Sequence, residues 1–142
     1  MKKSFLLVVV SFVLLSCGGG SKDAMVRVVE STYPDGKEQK VVYYSNDDKK
    51  EKVKEEMYHQ NGVLFWKGSF KDEKRDGYWC SWYQNKNINS EGNYVDGMQD
   101  GVWKIYYENG KLRYEGAYKN GKQVGEWNFY NENGEKIATE NY

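Results

Sequence analysis

From Lys111 to Lys119 apolar and polar positions alternate, with Leu112, Tyr114, Gly116 and Tyr118 on one side and Lys111, Arg113, Glu115 and Lys119 on the other. A period of two marks a strand with one face toward a core and one toward water. A second alternating stretch, Trp103 to Tyr107, precedes it, and Asn109-Gly110 lies between the two. That dipeptide predicts a two-residue type I′ turn, which needs positive φ at both central residues. The register that follows sets Tyr107 opposite Leu112, Ile105 opposite Tyr114, Lys104 opposite Glu115 and Trp103 opposite Gly116. It joins opposite charges across the strands and lays an indole over a residue with no side chain, a rescue of a strand glycine by an aromatic.

The hairpin recurs with a period of 24 residues. Trp79, Trp103 and Trp127 keep that spacing, as do Gly77, Gly101 and Gly125, and Gly68, Gly92 and Gly116. Phe70, Tyr94, Tyr118 and Tyr142 continue it, as do Tyr58, Trp82, Tyr106 and Tyr130. Asp35-Gly36, Asn61-Gly62, Asn85-Lys86, Asn109-Gly110 and Asn133-Gly134 mark five hairpins. Glu55 replaces the tryptophan of the unit and Glu140 its glycine, as terminal repeats do in stacked architectures.

Tyr107-Glu108-Asn109-Gly110-Lys111-Leu112, then Glu115-Gly116-Ala117-Tyr118-Lys119-Asn120-Gly121-Lys122 and Gly125-Glu126-Trp127, resembles the bacterial variant of the MORN repeat, the type collected in YwqK-like proteins. The resemblance is good over 57–142 and weak over 25–56. It implies an all-β fold of tandem β-hairpin (MORN-like) repeats in one elongated, twisted antiparallel sheet. YwqK-like proteins are regarded as antitoxins, so the resemblance also implies a protein partner, a toxin.

Residues 1–16 have the layout of a secretory signal: Lys2 and Lys3, then the apolar run Phe5 to Leu15. Leu14-Leu15-Ser16-Cys17 resembles a lipobox, which makes Cys17 the lipidated residue and 17–24, with Gly18-Gly19-Gly20-Ser21, a flexible tether. The repeat domain is then 25–142. This predicts a lipid-anchored protein of the bacterial envelope. Gly18, rather than the aspartate that resembles an inner-membrane retention signal, favours the outer membrane or cell surface.

Composition narrows the chemistry. A chain of 142 residues has room for one small domain. Its 21 basic and 21 acidic residues balance, so nucleic acid is not an expected partner. One His and two Cys leave almost no material for a metal centre or a Cys/His pair, and we expect no cofactor, no metal and no enzyme. His59 takes the place of a repeat tyrosine opposite Leu64, and Cys80 reads as a half-exposed free thiol. Asp47-Asp48, Asp72-Glu73 and Asp96 read as solvated charges in the connections. The candidate interface is the second aromatic row. Trp103 and Tyr106, three apart, point to opposite faces of a regular strand, so Tyr58, Trp82, Tyr106 and Tyr130 line the face away from Trp79, Trp103 and Trp127, with Phe65, Asn89, Arg113 and Ile137 as cross-strand partners. Such a row suits a protein partner, with a glycan or cell-wall polymer as the alternative and a purely structural envelope lipoprotein as the third.

Overall fold

The computed structural model describes residues 25–46 and 50–142. The signal-like segment, Cys17, the tether, Asp47 and Asp48 lie outside the described residues. Among the described residues ten strands form: β1 (Met25–Thr32), β2 (Glu38–Ser45), β3 (Lys52–Tyr58), β4 (Leu64–Lys71), β5 (Lys74–Trp82), β6 (Ile88–Val95), β7 (Met98–Tyr106), β8 (Leu112–Lys119), β9 (Lys122–Tyr130) and β10 (Lys136–Asn141). They make one open sheet in chain order, every neighbouring pair antiparallel. This is the all-β array of tandem hairpins that the period predicts.

The turns differ from the expectation. Gly110 N donates to Tyr107 O at 2.9 Å, and Tyr107 N donates to Lys111 O at 2.8 Å. Only Gly110 of the loop has positive φ, +84°. The connection is therefore a three-residue loop, a type I turn followed by one left-handed residue, and not a type I′ pair. The same bonds close the loops at Tyr33, His59, Tyr83 and Asn131. True two-residue turns with both φ positive lie at the opposite ends of the strands, at Asp72-Glu73, Asp96-Gly97 and Asn120-Gly121. Residues read as solvated connections are thus hairpin turns in their own right, and Asp96 is paired with Lys74 at 2.5 Å.

The turn chemistry shifts the register near each tip. Trp103–Gly116, Lys104–Glu115 and Ile105–Tyr114 pair as expected, but Leu112 faces Tyr106 rather than Tyr107. Arg113 is left over as a bulge. Likewise Tyr58, Trp82 and Tyr130 face Leu64, Ile88 and Lys136. The partners expected for the aromatic row, Phe65, Asn89, Arg113 and Ile137, are the bulged residues themselves.

A single sheet has no second layer, so the core is a line of large rings. Trp79, Trp103 and Trp127 are buried, and Val41 and Val42 take over at the N-terminal end. Tyr94 stands edge-on between Trp79 and Trp103, Tyr118 between Trp103 and Trp127, and Tyr142 closes on Trp127. Edge-to-face contacts of this kind add to the area the rings bury.

The glycine beneath each indole is not the one expected. A Cβ on Gly92 would stand 2.3 Å from the ring of Trp103, and one on Gly68 or Gly116 would meet Trp79 or Trp127 in the same way. Each tryptophan therefore covers the glycine of the strand before it, in the previous hairpin, and not its partner across the tip. A bulge swings it there. Glu91 pairs with Lys104 and Asn93 with Asp100, so Gly101-Val102-Trp103 oppose Gly92 alone, with Gly101 at φ +83°. This contact locks one repeat to the next. It also explains the N-terminal departure: Glu55 faces Val42 where a glycine would be needed.

Candidate binding faces

The bulges that shift the tips sit on the return strands, so Trp103 and Tyr106 keep opposite faces, as the spacing predicts. Tyr58, Trp82, Tyr106 and Tyr130 are half-buried and stand one per hairpin. The hydroxyls of the three tyrosines are held. Tyr106 Oη donates to Glu91 Oε1 at 2.6 Å, and Tyr130 Oη to Glu115 Oε1 at 3.2 Å. Tyr58 Oη donates to Glu56 Oε2 at 2.8 Å, and Lys67 Nζ lies 5.5 Å from the centroid of the Trp82 ring. Lys67, Glu91 and Glu115 share the 24-residue spacing, so each reaches the aromatic of the next hairpin. This second inter-repeat contact was visible as a spacing in the sequence, but nothing there joined it to the row.

The bonds reshape the titrations. Hydrogen bonds from Tyr106 and Tyr78 hold the Glu91 carboxyl below its usual range, against some burial. Burial, and then Glu91, pushes the Tyr106 phenol above its own. Glu56 is also held low: burial works against it, but bonds from Lys54, Tyr58 and Tyr43 prevail.

Backbone clamps fix the row from below. Tyr33 Oη donates to Tyr58 O at 2.7 Å, Tyr83 Oη to Tyr106 O at 2.8 Å and Tyr107 Oη to Tyr130 O at 2.9 Å. His59 does the same with Nε2, 3.1 Å from Trp82 O. It opposes Val63 rather than Leu64, and does a repeat tyrosine's work. At the tips, Asn61, Asn85 and Asn109 each accept from the backbone two residues on and donate to a carbonyl of the next tip. Asparagine thus serves as a tip-to-tip link, a role hidden behind its reputation as a turn former.

Between Tyr58 and Trp82 opens a cleft of about 510 Å³, bounded by Leu64, Gly62 and Lys86. Tyr78 and Val102 alternate with Trp79 and Trp103 along their strands, and so share the face of the row, both well exposed. Cys80, expected half-exposed, is 4% exposed, and burial pushes its thiol up. Among the described residues no group of three or more His, Cys, Asp or Glu converges as metal ligands would.

The fold and faces define a class: an open, single-layer sheet of tandem hairpin repeats with aromatic locks. Two successive stretches, residues 75–96 and 99–120, match the MORN repeat variant. They coincide with hairpins β5–β6 and β7–β8. No curated protein sequence matches the chain. Among solved structures, a point mutant of TarM from S. aureus, in complex with Fondaparinux, alpha-GlcNAc-glycerol and UDP, is similar at 12% identity and a TM-score of 0.35, over 72% of this chain and 21% of that one. The GtfA/B complex bound to UDP and GlcNAc is similar at 10% identity and a TM-score of 0.34, over 95% of this chain and 27% of that one. The chain spans about a fifth to a quarter of those lengths, and neither likeness bears on its chemistry.

Proposed function

We propose that this chain is a non-enzymatic repeat protein of the bacterial envelope, held by lipid on Cys17, that binds a protein partner through Tyr58, Trp82, Tyr106 and Tyr130. One observation carries the reading: the four rings stand one per hairpin on one face, half-exposed, each with its own backbone carbonyl clamped, and an open cleft separates the first two, Tyr58 and Trp82. Rings fixed before contact lose little entropy on binding, which suits them as anchors. The non-catalytic reading is supported by the commitment of His59 to a backbone carbonyl. The YwqK-like resemblance supports a toxin as the partner, neutralised by occupation. The signal-like run and Gly18 support an outer-membrane or cell-surface position.

The test is capture from the producing cell's envelope and secreted material, using the full chain beside a Tyr106→Ala/Tyr130→Ala variant. We expect one stoichiometric protein with the natural chain and none with the variant, while both retain a sheet spectrum and cooperative unfolding. Capture that survives the double substitution removes the row as the interface. A captured protein that is harmless when expressed alone removes the antitoxin role.

A further inference from the structure

Hairpin β5–β6 departs from its neighbours at three places around one point. Ser81 stands where Met57, Ile105 and Phe129 stand in other units, and Ser90 where Trp66, Tyr114 and Ala138 stand. Arg75 replaces Gln99 and Gln123. Equivalent positions of a repeat meet equivalent neighbours, so stacking gives no reason for one unit to differ. The register makes Trp66–Ser81, Ser81–Ser90 and Ser90–Ile105 direct partners. A row of mostly large side chains crossing the tryptophan face is therefore broken near its middle by two small ones.

The break is a cleft of about 190 Å³ walled by Trp66, Trp79, Tyr94 and Trp103, with Ser81, Ser90 and Arg75 in its lining. The two serine hydroxyls share a hydrogen bond of 2.6 Å, which leaves one hydroxyl hydrogen and several lone pairs for a ligand. Arg75 Nη1 donates to Tyr94 Oη at 3.2 Å, and its guanidinium lies 4.3 Å from the Trp79 centroid. The cation is held against the aromatic wall with its other N–H groups unspent.

We infer that this cleft binds a single pyranose ring bearing a carboxylate, a uronic-acid type of sugar. The C–H face of a pyranose matches the negative faces of indole and phenol rings. Serine hydroxyls both donate and accept, as sugar hydroxyls require. A guanidinium takes a carboxylate through two parallel bonds. The cleft is smaller than the roughly 300–1,000 Å³ of sites for larger ligands, so it accommodates one ring rather than a chain of them. It lies on the face opposite the aromatic row and stands independently of the protein-partner reading.

Glucuronate, glucose and benzoate are titrated into the full chain, with tryptophan fluorescence as the readout. Two variants accompany it, both built from residues the repeat already uses at these positions: Ser81→Ile/Ser90→Tyr, which copies Ile105 and Tyr114, and Arg75→Gln. We expect saturable quenching by glucuronate, with glucose and benzoate each about tenfold weaker or more, since a charge-assisted bond is worth about that factor. The double variant should lose binding without a lower melting temperature, and Arg75→Gln should bring glucuronate to the level of glucose. Three results overturn the inference: no saturable response to glucuronate, binding that survives the double variant, or benzoate as tight as glucuronate. Arg75 is exposed, so the Arg75→Gln variant keeps the question open to refutation should the double variant fold poorly.

Discussion

The indole of Trp103 lies over Gly92 in the preceding hairpin, while its backbone partner across the tip is Gly116. Gly92→Ala would put a methyl group 2.3 Å from that ring. The expected cost is about 1–3 kcal/mol from overpacking. Trp103→Ala should cost about 3–5 kcal/mol. Urea unfolding of the double-mutant cycle decides between the two glycines: Gly92→Ala should lose most of its cost when Trp103 is already Ala, and Gly116→Ala should not. Strong coupling of Trp103 to Gly116 instead would return the contact to within the hairpin.

The period, hairpin count and strand register far from the tips were legible in the sequence, because Trp–Gly and Lys–Glu partners repeat at fixed offsets. The tips were not. Asn-Gly is compatible with a type I′ pair and with a type I turn plus one left-handed residue, and these differ by one residue of register. The glycine under each tryptophan is not legible in the sequence, because the ladder partner of Trp103 is Gly116 and only the bulge at Gly101 decides where its ring goes. The aromatic row was found by spacing, but its ties to Glu91 and Glu115 join neighbouring hairpins. The Ser81–Ser90 cleft is a departure from the period, which a search for regularity passes over.

Tyr106→Phe should destabilise the protein by about 0.5–1.5 kcal/mol at pH 7, at the low end because the site is half-exposed. The Glu91 carboxyl is held low in the folded chain, so its contribution is present above the ordinary carboxylate range and is lost as pH falls through the folded-state value. The gap between the natural chain and the variant should close on acidification. Denaturant midpoints at pH 7 and in the acid range give the answer, and a gap independent of pH would deny the Tyr106–Glu91 bond.

Lys86 occupies the left-handed position of its tip at φ +74°, where Gly62 and Gly110 stand in neighbouring units. Lys86→Gly should therefore raise stability by about 0.5–1 kcal/mol, seen as a higher melting temperature. Asn109→Asp keeps the acceptor for Lys111 N but loses the donor to Glu132 O, and should cost less than Asn109→Ala. An Asn109→Asp variant as stable as the natural chain would mean that the tip-to-tip bond adds nothing, and equal costs for the two variants would mean the same of the bond from Lys111 N.

Cys80 should resist a thiol reagent at pH 8 in the folded protein and react fully in urea, with the labelled peptide identified by mass spectrometry. Its burial and upward-shifted thiol both oppose the thiolate. Rapid labelling without denaturant would place it at the surface.

Because every lock joins only adjacent hairpins, the sheet behaves as a graduated rule. Two strands per unit, each about 4.8 Å from the next, set successive rings of the aromatic row about 10 Å apart. A partner touching all four must carry the same pitch. Adding one more unit at an end of the sheet would lengthen the scale by one division and leave every existing contact where it was.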